Sequence, residues 1–119
     1  MRFLIQGAGS IGQRHYNNVR SLGHEAAFLR SGVAKRPFVQ SFYDAQKSEG
    51  HPVQEYLTLA EACEQWNPDA LIIATPNHLH LSAAQQGVAR GLPLIIEKPA
   101  HNTSEGLVSL IDAVEAKRV

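Results

Sequence analysis

The sequence predicts an α/β domain: a doubly wound parallel sheet of about five strands in the order 3-2-1-4-5, with helices on both faces. Three observations carry this. Strand-like apolar runs alternate with helix-like amphipathic segments along the 119 residues, and right-handed crossovers then favour a parallel sheet covered on both sides. Phe3-Leu4-Ile5, Ala70–Ala74 and Leu92–Ile96 hold no charge, as strands buried on both faces should. Finally, Gly7-Ala8-Gly9-Ser10-Ile11-Gly12 matches G-x-G-x-x-G at a strand-to-helix junction, the context that motif requires.

The elements follow in order. After the glycines, Ile11, His15, Val19 and Leu22 recur at helical spacing and are expected on the buried face of the first helix, with His15 packing under the glycine turn. Gly23 closes that helix. His24 to Arg30 reads as strand 2, and Ser31-Gly32 as its exit. Pro37 can open a helix whose inward face would be Phe38, Val39, Phe42 and Ala45, ending at Gly50. Pro52 to Leu57 is a weaker strand; a leading proline and polar alternation suit an edge. Thr58 and Glu61 form a capping box for a short helix through Trp66, which Asn67-Pro68 ends. Ala70–Ala74 is strand 4, followed by Thr75-Pro76-Asn77 and a helix to about Arg90 with Leu79, Ala83 and Val88 inward. Strand 5, Leu92 to Ile96, leads into Glu97-Lys98-Pro99. Asn102 and Glu105 then cap a last helix with the stripe Leu107, Leu110, Ile111 and Val114.

The glycines point to a dinucleotide. Gly7 permits the tight turn, Gly9 lets a pyrophosphate approach the backbone, and Gly12 lets the helix lie close to the strand. Ser10 and Ile11 open the helix, whose N-terminal N–H groups attract phosphate. In such a sheet ligands bind outside the carboxyl ends of the strands, at the crevice between strands 1 and 4. Gly7–Gly12, Arg30–Ser31, Thr75–His80 and Glu97–Pro99 all fall at those ends.

Composition excludes several classes. Eleven basic and eleven acidic residues balance, so no nucleic-acid partner is expected. No apolar stretch reaches the length of a membrane span, and the N-terminus runs straight into a strand without a signal-peptide pattern. Cys63 is the single cysteine, which rules out an internal disulfide, fits a reducing compartment and makes a cytoplasmic protein the expectation. Cys63 itself reads as a small buried apolar residue. His78 and His80 diverge on a helix, and the other histidines are scattered, so no metal site is expected.

Three segments together, Gly-Ala-Gly-Ser-Ile-Gly-Gln-Arg-His15, Ala-Thr-Pro-Asn-His-Leu-His80 and Glu97-Lys98-Pro99, resemble the Gfo/Idh/MocA family (glucose–fructose oxidoreductase, inositol dehydrogenase and rhizopine catabolism). The resemblance runs along the whole chain. It implies an NAD(P)-dependent oxidoreductase acting on sugars, polyols or related hydroxy compounds. It implies a Rossmann domain over residues 1–119, with a sixth strand and a C-terminal α/β substrate domain expected beyond Val119. That second domain would make most substrate contacts, so this chain alone is expected to be inactive.

By the same resemblance Lys98 reaches substrate and nicotinamide as the catalytic residue, where an ammonium can orient a hydroxyl and assist proton movement. Glu97 is implied near the nicotinamide ring, or else forms a strand-end ion pair. Thr75 and Pro76 would line the nicotinamide side and His80 would pack beside the cofactor, while Asn77 serves the nucleotide or caps the next helix.

The residues also address which cofactor is bound. NAD-selective domains end strand 2 in an acid about twenty residues beyond the glycines. Here that place reads Phe28-Leu29-Arg30-Ser31-Gly32, and Glu25 stands at the far end of the strand. Arg30, with the Ser31 hydroxyl and the nearby Lys35 and Arg36, suits a 2′-phosphate, so NADP is expected over NAD. The alternative is that Arg30 stacks on adenine and discriminates little. A dinucleotide-binding module without catalysis is the competing function. Self-association into a homo-oligomer is also expected, because strand 5 would present an apolar edge.

Overall fold

The computed structural model describes residues 1–30, 37–75 and 80–96, with the side chains of residues 80 and 81 left aside. Five strands, β1 (Arg2–Gln6), β2 (Glu25–Leu29), β3 (Gln54–Tyr56), β4 (Ala70–Ile73) and β5 (Leu94–Ile96), alternate with four helices, α1 (Ser10–Ser21), α2 (Pro37–Ser48), α3 (Leu59–Gln65) and α4 (His80–Ala89). The sheet order is β3-β2-β1-β4-β5. Every pairing is parallel, with Ile5 beside both Phe28 and Ile72, and Leu29 beside Tyr56. The expected topology is therefore present, and β1 and β4 flank the switch point. The last expected helix and the Glu97-Lys98-Pro99 segment lie outside the described residues.

Alternation along buried strands sorts the core into two layers. Ile5, Phe28 and Ile72 face α1 and α2, where Tyr16, Val19 and Tyr43 complete a cluster. Its centre is aromatic: Phe28 stacks between Tyr16 at 5.1 Å and Tyr43 at 5.8 Å, with Phe42 edge-on to Tyr16 and Phe28. Such pairs add about 0.5–1.5 kcal/mol each beyond the area they bury. On the opposite face Leu4, Leu71 and Ile73 meet Leu59, Ala62 and Trp66 around α3, and Ala83, Ala84 and Val88 of α4.

Two expected faces are partly rotated, keeping Val19 in α1 and Val39 and Phe42 in α2, and a third is broader than expected. In α1 the buried residues are Gly12, Tyr16 and Val19, whereas Ile11 and Leu22 are 45% and 75% exposed and His15 is half-buried. The cause is Gly12, which must lie against the end of β1; that moves Ile11 and His15 off the buried face in favour of Gly12 and Tyr16, while Val19 stays inward. In α2 the inward residues are Val39, Phe42 and Tyr43; Phe38 and Ala45 face outward. In α4 Ala83 and Val88 are buried as expected, with Ala84 and Gly87 beside them, and Leu79 lies outside the described residues.

The end signals are in place. Thr58 accepts the Glu61 backbone N–H at 3.0 Å as N-cap of α3. Gly23, one residue past the Leu22 cap of α1, takes φ 86°. The strands at the two edges of the sheet are shorter than expected, three residues each for β3 and β5.

Candidate dinucleotide-binding site

The site is built where β1 turns into α1. Gly7 has φ 103°, and a Cβ on it would stand 2.7 Å from the Ala74 carbonyl oxygen and 3.1 Å from the Thr75 nitrogen. The ends of β1 and β4 thus touch through backbone at the switch point, and the Ala74 N–H donates to the Gln6 carbonyl at 2.8 Å. Only glycine meets both demands at Gly7: positive φ and no side chain. Gly12 is equally constrained, because a Cβ there would overlap the Gly7 carbonyl oxygen.

Gly9 differs from both. It is the N-cap of α1 in extended conformation, φ −74° and ψ −166°, and among the described residues a Cβ on it would meet nothing within 4 Å. Neither its described neighbours nor its own dihedrals demand glycine; the open space in front of it leaves room for a ligand to approach the backbone. Among the described residues no side chain caps α1, and no acid stands in its first turn. An uncapped helix N-terminus behind open space suits an anion, so these residues fit a pyrophosphate. Ser10 and Ile11 are exposed beside it.

Gln13, which the sequence reading did not single out, fixes this loop. Its Nε2 donates to the Ala8 carbonyl at 3.0 Å, while its backbone N–H makes the first helical bond to Gly9 at 2.9 Å. Tying the Ala8 carbonyl back toward the helix holds the loop in one shape. The available signal was a carboxamide directly after the last glycine, one turn from Gly9.

Arg30 follows β2 at the carboxyl edge, its backbone N–H donating to the Tyr56 carbonyl at 2.9 Å. Glu25 does stand at the opposite end of β2, where it pairs with Arg2 at 3.0 Å. The fold nevertheless brings an acid to Arg30. Glu55 of β3 accepts from the Arg30 Nη1 at 3.1 Å. The acid of the weak strand was visible in the sequence; its register against β2 was not. Tyr43 lies buried beside this pair.

Thr75 is half-buried just after β4, and His80 is the first residue of α4. Ser31, Pro76, Asn77, Glu97 and Lys98 lie outside the described residues. The structure therefore brings Gly7, Gly9, Ser10, Ile11, Gly12 and Thr75 to one crevice, with Arg30 at the adjoining end of β2. Cys63 is half-buried against the α3–α4 core layer. Among the described residues no group of three His, Cys, Asp or Glu side chains could hold a metal ion. No helix among them is long and apolar enough to cross a membrane.

Comparison with known proteins agrees with this fold. The chain is 30% identical over 118 residues to the rhizopine catabolism protein MocA of Rhizobium meliloti, covering 99% of this chain and 35% of that protein. It is 27% identical over 116 residues to inositol 2-dehydrogenase of Corynebacterium glutamicum, covering 94% and 32%. The chain thus spans about a third of the length of these relatives.

Among solved structures, the WlbA dehydrogenase of Bordetella pertussis, in complex with NADH and UDP-GlcNAcA, superposes with a TM-score of 0.78 at 23% identity, covering 99% of this chain and 35% of that one. UDP-N-acetylglucosamine 3-dehydrogenase GnnA of Acidithiobacillus ferrooxidans gives 0.80 at 18%, covering 100% and 35%. At these identities the likeness is one of fold. Residues 1–119 match the family described as "Oxidoreductase family, NAD-binding Rossmann fold"; the chain belongs to the Gfo/Idh/MocA oxidoreductases and is their NAD-binding Rossmann domain.

Proposed function

We propose that the chain is the cofactor domain, residues 1–119, of an NAD(P)-dependent oxidoreductase acting on a sugar, polyol or related hydroxy compound, and that it prefers NADP. The carrying observation is the cradle at Gly9: among the described residues, open space in front of a helix N-terminus that no side chain caps. The substrate class is supported by the relatives' names, inositol 2-dehydrogenase and rhizopine catabolism protein. A separate substrate domain is supported by the third of those proteins' length that the chain spans.

When bound, the nicotinamide ring supplies a two-electron hydride carrier. Gly7, Gly9, Ser10, Ile11 and Gly12 would hold the pyrophosphate, and Arg30 with Ser31 the 2′-phosphate. Thr75, Pro76, Asn77 and His80, which follow β4, would line the nicotinamide side, with Glu97 near the ring. Lys98 would orient the substrate hydroxyl and, as the neutral amine, accept its proton. Such positioned proton transfer contributes about 10²- to 10⁴-fold. In the whole enzyme, Lys98→Met is expected to lose turnover on that scale with the cofactor dissociation constant unchanged.

The cofactor choice rests on charge. A guanidinium–phosphate pair contributes about 1.5–3 kcal/mol, or roughly ten- to a hundred-fold in affinity. Titration calorimetry of this chain is expected to show NADP binding more tightly than NAD, with Arg30→Ala erasing most of the difference. Equal dissociation constants, or an unchanged ratio in the variant, would overturn the preference. Bound cofactor without turnover of a sugar or polyol panel is the expected behaviour of the chain alone.

Two further parts belong to the same proposal. Self-association through β5 is supported by Ile95, 47% exposed on an edge strand of the described sheet; a clean monomer in light scattering at high concentration would count against it. A cytoplasmic setting is supported by the sequence's single cysteine.

A further inference from the structure

The acid missing from the end of β2 is replaced, in space, by one from the next strand. Glu55 stands opposite Phe28 in the β2–β3 register, and its carboxylate receives the Arg30 guanidinium at 3.1 Å. The pair is sheltered, with side-chain exposures of 14% for Arg30 and 29% for Glu55. From the α2 side, the buried Tyr43 ring lies beside the same pair, and its phenol feels the Glu55 charge. Glu55 is therefore held by a cation on its own sheet, with Tyr43 of the covering helix beside the pair.

We propose that Glu55 is a specificity residue that positions Arg30 and offsets its charge, restraining the preference for a 2′-phosphate. This rests on the reading of Arg30 given above. A 2′-phosphate carries close to two negative charges, so its attraction to Arg30 is opposed by repulsion from a carboxylate in contact with that same guanidinium. NAD presents an uncharged hydroxyl there and feels little of either. At a sheltered site the effective dielectric is nearer 20 than 80, so one charge a few ångströms from the phosphate is not screened away. The absolute preference for NADP is then smaller than Arg30 alone would impose, and Glu55 sets how much smaller.

Glu55→Gln removes the charge while keeping shape and an acceptor oxygen for Arg30. NADP is expected to bind about ten-fold more tightly to this variant at low salt, with NAD changed less than about two-fold. The gain should shrink as ionic strength rises. Fragments locate the effect: 2′,5′-ADP should follow NADP and 5′-AMP should follow NAD. Glu55→Asp keeps the charge and should keep the wild-type ratio. Glu55→Thr, a neutral strand-forming replacement, gives a second reading of charge removal should Glu55→Gln not fold.

An unchanged or weakened NADP affinity in the folded neutral variants would overturn the proposal, as would equal gains for both cofactors. If Arg30→Ala leaves the wild-type ratio untouched, the reading of Arg30 fails first. If Arg30→Ala weakens NADP but neither neutral variant strengthens it, only the role of Glu55 fails.

Discussion

A methyl group on Gly12 would overlap the carbonyl oxygen of Gly7, because the first turn of α1 is packed directly on the end of β1. The obstructing atom is backbone, so no change of rotamer relieves the clash. Gly12→Ala is expected to cost roughly 1–3 kcal/mol of stability and to weaken cofactor binding by spreading the loop. Gly9→Ala should behave differently, since its φ of −74° suits any L-residue and its Cβ would meet nothing. That variant is expected to be as stable as wild type, or a few tenths of a kcal/mol more so, yet to lose cofactor affinity about ten-fold or more. Urea unfolding paired with cofactor titration separates the two. Matching profiles would mean that the open space at Gly9 is not where the pyrophosphate sits.

Gln13 allows a test of preorganisation. Its side chain spends one hydrogen bond on the Ala8 carbonyl, and a bond of that kind contributes about 0.5–1.5 kcal/mol. Gln13→Ala should lower cofactor affinity roughly five-fold through a loosened loop. Gln13→Glu should do worse, because a carboxylate cannot donate to Ala8 and brings negative charge beside the phosphates. If Gln13→Glu bound cofactor as well as Gln13→Ala, charge at this position would be irrelevant to the site.

What the sequence revealed and what it hid follow one division. The sheet order, the alternation of layers and the glycine loop were legible because they depend on runs and turns a few residues long. The Thr58 cap was legible for the same reason. The buried face of α1 was not: Ile11 is the more apolar residue, but Gly12 has to be inward to fit under β1, and Tyr16 follows it. Tyr16 and Tyr43 carry polar atoms that hide how fully their rings are buried. At the site, Gly7, Gly9 and Gly12 could be assigned from spacing, whereas the Arg30–Glu55 pair depends on strand register, which links residues twenty-five apart. No local pattern encodes that.

Thr58 isolates a stability effect from function. Its hydroxyl satisfies the Glu61 N–H at the start of α3, a helix whose Leu59 and Ala62 are in the core on the face away from α1. Thr58→Ala is expected to cost about 1 kcal/mol, while Thr58→Ser should be close to neutral. Cofactor affinity should be the same in all three proteins. A loss of affinity in the folded Thr58→Ala protein would show that α3 communicates with the crevice.

The last expectation concerns alkaline pH. Tyr43 resists ionisation well beyond the ordinary tyrosine range, first because burial strips water from the phenol, then because the nearby Glu55 carboxylate opposes a second negative charge. An unfolded chain ionises this group near pH 10. Above that pH the native state holds a proton that the unfolded state has lost, so stability falls as pH rises. The contribution of Tyr43 is intact below about pH 10 and shrinks above it, by about 1.4 kcal/mol at one pH unit beyond. Tyr43→Phe removes the proton in question and should flatten that decline. Urea midpoints taken between about pH 8 and about pH 11, with tyrosinate absorbance recorded alongside, test this directly. If wild type and Tyr43→Phe lose stability in parallel, Tyr43 ionises in the fold as freely as in the open chain, and its hydroxyl is not shut in against Glu55.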